Sequence, residues 1–145
     1  MPAGTLAAAM MILAGLQTAA PPRPTVPGAA ALVRALRSEG VMAARRGRVS
    51  HEAFPFFAPR ATRLSVAGED VHVFEFPSAD AAGRESSHIS PGGSPIGAHQ
   101  ITWMAPPRFY RKDRLIVLYV GSNLEVAQAL ESILGPPFPV RPATP

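Results

Sequence analysis

Apolar residues recur three and four positions apart in two segments of this chain, and this spacing predicts helices. The first segment, Ala29–Glu39, presents one apolar face and is followed by Gly40, a residue that commonly ends a helix. The second segment begins after Asn123, which can cap a helix, and stops at Gly135-Pro136. We therefore expect one helix over Ala29–Glu39 and another between Asn123 and Gly135.

Short apolar runs in the middle of the chain predict strands. Leu64–Val66 and Val71–Phe76 flank the loop Ala67–Asp70, which contains a glycine, and this arrangement is typical of a β-hairpin. Ser78 can then cap a helix that follows it, although Gly83 lowers the helical propensity of that segment. A hairpin followed by a short helix is therefore predicted here.

Three further segments complete the predicted strands. Gln100–Ala105 and Leu115–Val120 are predicted to be strands that are joined through Pro106-Pro107. Upstream of the hairpin, Val41–Arg45 is predicted to be a strand that ends in a turn at Gly47.

The element order from Leu64 onward is strand, strand, helix, strand, strand, helix, and it predicts two hairpin–helix units. This order favours an α+β fold, with a mainly antiparallel sheet of four to five strands and two to three helices packed on one of its faces. Leu115–Val120 is apolar at every position, as expected for a strand that is covered on both faces. We expect the chain's own loops to cover the second face, above all the aromatic stretch Phe54–Phe57. The N-terminal segment and another chain are the alternatives.

The N-terminal residues have the pattern of an export signal. Leu6–Leu16 is an apolar run of 11 residues, too short to span a bilayer but typical of a signal-peptide core. The small residues Thr18–Ala20 follow this run, and a proline-rich stretch begins at Pro21. We therefore predict a leader over residues 1–20, a linker over 21–28, a single domain over 29–135 and a proline-rich tail over 136–145. The alternative is an N-terminal helix that packs on the domain.

Composition narrows the classes of function. The chain has 145 residues, enough for one domain with its own core. It has no cysteine, which excludes disulfides, iron–sulfur clusters, thiolate zinc sites and cysteine nucleophiles. An exported domain without disulfides suggests the bacterial cell envelope. The net charge is +4, a value that ordinary solubility explains, so nucleic acid is not a favoured partner.

Two blocks of sequence, Gly68–Phe76 and Trp103–Gly121, carry a resemblance to known proteins. They resemble the corresponding blocks of small exported or lipid-anchored bacterial domains of unassigned function, over about residues 29–138. The resemblance implies a leader, a short linker and one α/β domain. In that family a lipid-bearing cysteine follows the leader, whereas this chain has Leu16 after Leu13-Ala14-Gly15. The resemblance therefore implies a fold and an extracytoplasmic location, and it implies no catalytic residue.

Histidines and carboxylates give little support for a metal site. His72 and Glu75 are three residues apart on a predicted strand and point to opposite faces, so we expect Glu75 to pair with an arginine instead. His88 and His99 flank the loop Ser90–Pro95, but a metal site there needs a third ligand. We therefore predict no metal ligand, cofactor or catalytic residue.

The serines and the glycine-rich loop also lack a catalytic pattern. No serine stands in Gly-x-Ser-x-Gly, and Pro91–Gly97 lacks the Gly-Lys-[Ser/Thr] sequence of a phosphate-binding loop. The prolines of this segment also remove backbone N–H donors that a bound phosphate needs. The segment is therefore predicted to be a turn, and enzyme activity is not favoured.

Two groups of basic residues are the most specific surface feature. The possible anion-binding residues are Arg45, Arg46 and Arg48 in the first group and Arg108, Arg111, Lys112 and Arg114 in the second. Both groups are predicted to lie on turns, and they form one patch for lipid headgroups or other polyanions if the turns are neighbours. The alternative is that charged turns keep the edges of the sheet soluble.

Three functions follow from these features, in decreasing order of preference. The first is an exported, envelope-associated accessory domain without catalytic activity, which binds an unknown envelope protein or ligand through its sheet face or its aromatic loops. The second is a binder of anionic envelope material that uses the two basic groups. The third is a small hydrolase that uses His88 or His99. We expect a monomer or a weak homodimer.

Overall fold

The computed structural model describes residues 25–138 of the chain. Its elements in chain order are α1 (Ala29–Ser38), β1 (Ala43–Arg48), β2 (Ala61–Val66), β3 (Glu69–Glu75), α2 (Ala79–Ser86), β4 (Pro107–Lys112), β5 (Leu115–Val120) and α3 (Leu124–Leu134). The α+β class and the two hairpin–helix units are confirmed. The predicted leader, residues 21–24 of the predicted linker and residues 139–145 of the predicted tail lie outside the described residues.

Within residues 25–138 the sheet has five strands in the spatial order β1-β2-β3-β5-β4, and every neighbouring pair is antiparallel. β1 and β4 are therefore the two edge strands. β5 lies between β3 and β4, so the chain that leaves β3 must cross β5 before it reaches the far edge. This strand order determines where the two groups of basic residues lie relative to each other.

Two helices cover one face of the sheet, and the third helix lies on the other. Leu36 of α1 and Leu130 of α3 pack with Val117 of β5 in a first core. Ala82 of α2 packs with Ile116 in a second core. The prediction that the helices share one face is therefore wrong for α2, because the connection from β3 to β4 crosses β5 on the side that α1 and α3 leave open. No helix within residues 25–138 has the length and apolarity that a membrane span requires.

The central strand β5 is buried on both faces, as its sequence predicts. Val117 and Tyr119 belong to the first core, and Ile116 and Leu118 belong to the second. Loops of the same chain close the second core: Phe57, Ile89 and Ile96 are all buried there. The expectation that the chain's own loops cover the second face is therefore confirmed.

The fourth strand is displaced from its predicted position. The predicted strand Gln100–Ala105 is irregular in the structure, and β4 begins at Pro107 instead. A proline is tolerated at the first residue of an edge strand, where its missing N–H costs no ladder hydrogen bond. Phe109 and Tyr110 are then buried in the second and the first core. This burial on both faces fixes the segment as a strand.

The first strand also differs from its prediction, since it spans Ala43–Arg48 rather than Val41–Arg45. Gly47 was predicted to form a turn, but it lies inside β1. The register against β2 shifts between Arg45 and Gly47, which marks a β-bulge. Gly47 has φ +112°, a backbone conformation that glycine adopts without strain.

Candidate anion-binding site

Most of the second basic group lies at the opposite edge of the sheet from the first, so the seven residues do not form one patch. Arg114 is the exception, because it lies in the turn between β4 and β5. Arg45, Arg46 and Arg48 belong to β1, and Arg108, Arg111 and Lys112 belong to β4. The predicted placement of these six residues on turns is wrong, because they lie in strands that pair with β2 and β5. Three other strands separate β1 from β4.

The basic residues of β4 point to different faces. Arg108 lies opposite Tyr119 on the face of α1 and α3, whereas Arg111 lies opposite Ile116 on the face of α2. A Cβ atom added at Gly83 of α2 would lie 3.1 Å from Nη1 of Arg111, so this side chain packs closely against the helix. The β4 group therefore offers no common surface for one ligand.

The tyrosines beside Arg108 are not ionised at neutral pH. Burial raises the pKa of Tyr110 to about 12, and it also raises the pKa of Tyr119. The Tyr119 hydroxyl donates a hydrogen bond to Glu69 Oε1 at 2.6 Å and accepts one from the backbone N–H of Asn123 at 2.9 Å. Nη1 of Arg108 is buried without a hydrogen-bond partner among residues 25–138. This cluster links the sheet to the start of α3.

The residues of β1 line a different feature, a cleft of about 330 Å³ at one end of the sheet. We call it the arginine cleft, and its lining consists of Arg45, Arg48, Arg60, Thr62, Glu75 and Arg114. The most buried of these residues is Thr62, which is 4% exposed. Arg46, the bulged residue, lies outside the arginine cleft.

The bulge in β1 brings Arg45 and Arg48 to the same face. Residues three apart on a regular strand point to opposite faces. Here Arg45 lies opposite Leu64 and Arg48 lies opposite Thr62, two residues that share one face of β2. The extra residue of the bulge shifts the pairing by one position, so Arg48 lies on the same face as Arg45. The bulge between Arg45 and Gly47 is therefore what allows two arginines of β1 to line one cleft.

Arg60 is the basic residue of the site that the sequence did not single out. It stands alone before β2 and belongs to neither basic group. Its Nε donates a hydrogen bond to the backbone carbonyl of Val49 at 3.2 Å, which holds the side chain across the end of β1. Because its neighbours in the chain are apolar, only the pairing of β1 with β2 reveals that it joins Arg45 and Arg48.

Arg114 lines the arginine cleft but makes three hydrogen bonds within the protein. Its Nε donates to Pro27 O at 2.8 Å, its Nη1 to Phe76 O at 2.9 Å and its Nη2 to Glu75 Oε1 at 3.1 Å. The predicted pairing of Glu75 with an arginine is therefore confirmed. Arg114 acts as a fixed positive wall of the cleft, because its three bonds leave it little freedom to move.

Glu75 also joins the sheet to the segment before α1. Its Oε2 accepts a hydrogen bond from the backbone N–H of Ala29 at 3.2 Å, at the N-terminus of α1, where a carboxylate is favourable. Nearby, Asp113 Oδ2 accepts one from Val26 N at 2.8 Å. Val26 was predicted to lie in the linker, but it is buried in the first core. The residues just before α1 therefore pack with the domain.

The arginine cleft carries an excess of positive charge. Glu75 is its one carboxylate among the described residues, and Arg114 and the start of α1 already neutralise it. Arg45, Arg48 and Arg60 have no carboxylate within 4.0 Å among the residues that the structure describes. Their guanidinium groups have the planar donor geometry that matches phosphate and carboxylate oxygens. The site therefore has the charge and the donor groups that an anionic ligand requires.

None of the histidines among the described residues lines the arginine cleft. His72 lies on the opposite face from Glu75, with its ring centroid 4.6 Å from that of Phe54, and burial lowers its pKa. Nδ1 of His88 lies 3.5 Å from Glu85 Oε2. Within residues 25–138, no three histidine or carboxylate side chains are close enough together to hold a metal ion.

Comparisons of the chain with protein-family models, with curated protein sequences and with solved structures gave no match.

Proposed function

We propose that this protein is an exported, non-catalytic binding domain that holds the anionic group of an envelope ligand in the arginine cleft. One observation carries the proposal: Arg45, Arg48 and Arg60 converge on one cleft without a carboxylate partner among the described residues. Like charges gathered in this way repel one another, so a site of this kind favours an anion that neutralises them.

The other predicted binding surfaces have less support. Both faces of the sheet are packed against helices or loops, and Phe57 of the aromatic stretch is buried. Met42, Met104 and Leu124 are the large apolar side chains that are exposed among residues 25–138, and they are far apart in the sequence. Binding of an apolar partner through the sheet face or the aromatic loops is therefore less favoured than binding of an anion.

The anion-binding proposal predicts that removal of three cleft arginines weakens binding to anionic vesicles. A variant with Arg45→Ala, Arg48→Ala and Arg60→Ala should bind phosphatidylglycerol-containing vesicles at least about tenfold more weakly, since a single charge-assisted hydrogen bond contributes about 1.5–3 kcal/mol. Co-sedimentation at constant ionic strength, with phosphatidylcholine vesicles as the neutral reference, measures the effect.

The matched control removes the same amount of charge elsewhere. Arg34, Arg46 and Arg63 are exposed and lie outside the arginine cleft, so their triple replacement with alanine should change binding by less than about threefold. Equal losses in the two triple variants would show that binding depends on net charge alone, and would refute the proposed site.

The export part of the proposal predicts a shortened chain outside the cytoplasm. Because Leu6–Leu16 has the pattern of a signal-peptide core, the mature protein should begin between Ala19 and Arg23. Intact-mass measurement on fractionated cells of the native host tests this prediction. A full-length chain in the cytoplasm would contradict it.

A further inference from the structure

A second cleft adjoins the arginine cleft and has a different lining. It measures about 630 Å³, and we call it the apolar cleft. Its walls are Ala58, Pro59, Phe76, Pro77 and Ala81, together with Glu75, Arg84, Glu85 and Arg114. Glu75 and Arg114 line both clefts, so the ion pair between them forms the shared boundary.

We propose that the two clefts together bind a single-chain anionic amphiphile. Its phosphate or carboxylate headgroup lies in the arginine cleft among Arg45, Arg48 and Arg60, and its alkyl chain lies along the apolar cleft. This inference rests on the proposed function, which supplies the headgroup site, and it adds the chemical class of the ligand.

The charges on the two sides of the boundary support this assignment. On one side, three guanidinium groups lack a carboxylate partner among the described residues. On the other side, the wall consists mainly of alanine, proline and phenylalanine side chains. Arg84 and Glu85 in that wall have opposite charges, and Glu85 lies beside His88. An amphiphile matches this division, because one of its ends is charged and the other is apolar.

The ion pair at the boundary does not repel an anionic ligand that extends from one cleft into the other. Arg114 Nη2 and the N–H of Ala29 each donate to a different oxygen of the Glu75 carboxylate. The remaining nitrogens of Arg114 are bonded to the backbone carbonyls of Pro27 and Phe76. The ion pair is therefore neutralised and held in place before any ligand arrives, so this part of the site adds little ordering cost to binding.

The apolar wall is also fixed by the fold. Phe76 directly follows β3, and its side chain is buried in the second core. Ala81 lies in the first turn of α2, where its backbone N–H donates to the Ser78 hydroxyl at 3.0 Å. The small side chains of Ala58 and Ala81 leave the space open, so a larger polar residue at either position should obstruct it.

The test compares ligands that share a headgroup and differ in chain length. Inorganic phosphate, ethyl phosphate, butyl phosphate and hexyl phosphate are titrated against the full-length protein by isothermal calorimetry, below the concentrations at which they form micelles. We expect inorganic phosphate to bind and the affinity to rise by about fourfold for each methylene group that becomes buried, until the apolar cleft is full.

Variants of the apolar cleft locate the effect. Ala58→Gln and Ala81→Gln should each reduce the gain between inorganic phosphate and hexyl phosphate by at least about threefold, since each places polar atoms where alkyl groups would lie. Ala58 is exposed, so its replacement tests the inference even if the change at Ala81 disturbs α2. Ala98→Gln, at an exposed position outside both clefts, is the control and should leave the gain unchanged.

The outcomes separate this inference from the proposed function. Equal affinity for inorganic phosphate and hexyl phosphate would overturn the inference and leave the arginine cleft as an anion site. A gain with chain length that persists in both glutamine variants would also overturn it. Absence of binding by every phosphate in the series would overturn the proposed function together with the inference.

Discussion

A Val117→Asp variant is expected to be unfolded at room temperature. Val117 is 0% exposed and lies at the centre of β5, where it packs with α1 and α3 in the first core. Burial of an unpaired carboxylate costs several kcal/mol, which is comparable to the entire stability of a small domain, about 5–15 kcal/mol. Far-UV circular dichroism and urea denaturation of the purified variant measure the effect.

The control for this change places the same charge on the surface. Met104 is 100% exposed, so Met104→Asp should unfold at nearly the same urea concentration as the unchanged protein. A Val117→Asp variant as stable as this control would mean that one face of β5 is open to solvent. The two-sided packing of the sheet would then be wrong.

The second large effect is expected from Phe57→Ala, which should lower the free energy of unfolding by about 3–5 kcal/mol. Phe57 is 1% exposed, and its ring centroid lies 4.9 Å from that of Phe74 and 5.7 Å from that of Phe76. Removal of the ring leaves a cavity beneath the sheet, because the surrounding side chains relax only in part. Urea denaturation followed by tryptophan fluorescence measures the loss.

The comparison variant for Phe57 is Leu124→Ala. Leu124 is 62% exposed at the start of α3, and its truncation should change the stability by less than about 1 kcal/mol. If both truncations cost equally little, the aromatic stretch does not close the second core, and another segment or a partner must cover that face of the sheet.

Local signals in the sequence predict the helices of this fold well. Asn123 Oδ1 accepts a hydrogen bond from Glu125 N at 2.9 Å, and the Ser78 hydroxyl accepts one from Ala81 N, so both predicted caps are present. Gly40 and Gly135 each follow a helix and have positive φ angles. Such signals depend on a few neighbouring residues, and they therefore act in the same way in most folds.

The edge strands are harder to predict because distant residues determine them. As a proline, Pro107 favours a connection rather than a strand. Its segment nevertheless pairs with β5, and Phe109 and Tyr110 of this segment are buried. Likewise, Gly47 favours a turn, but it lies next to a bulge within β1, which pairs with β2 on both sides of that bulge. In both cases the tertiary context overrides the local preference of a proline or a glycine.

The candidate site was only partly predictable for the same reason. Arg45, Arg48 and Arg114 were singled out as basic residues, and the structure places all three around one cleft. No local pattern indicates that β5 lies between β3 and β4, an order that places Arg108, Arg111 and Lys112 at the far edge from β1. Arg60 carried no local signal at all, since its role depends on the strand pairing that brings it to the end of β1.

The most direct test of the anion site is an NMR titration of the full-length, ¹⁵N-labelled protein with inorganic phosphate. We expect the Nε–Hε signals of Arg45, Arg48 and Arg60 to shift together along one saturable curve. The signals of Arg34 and Arg63, which lie outside the arginine cleft, should remain nearly unchanged. Shifts of similar size at all five arginines, or no shift at the three cleft residues, would contradict the account.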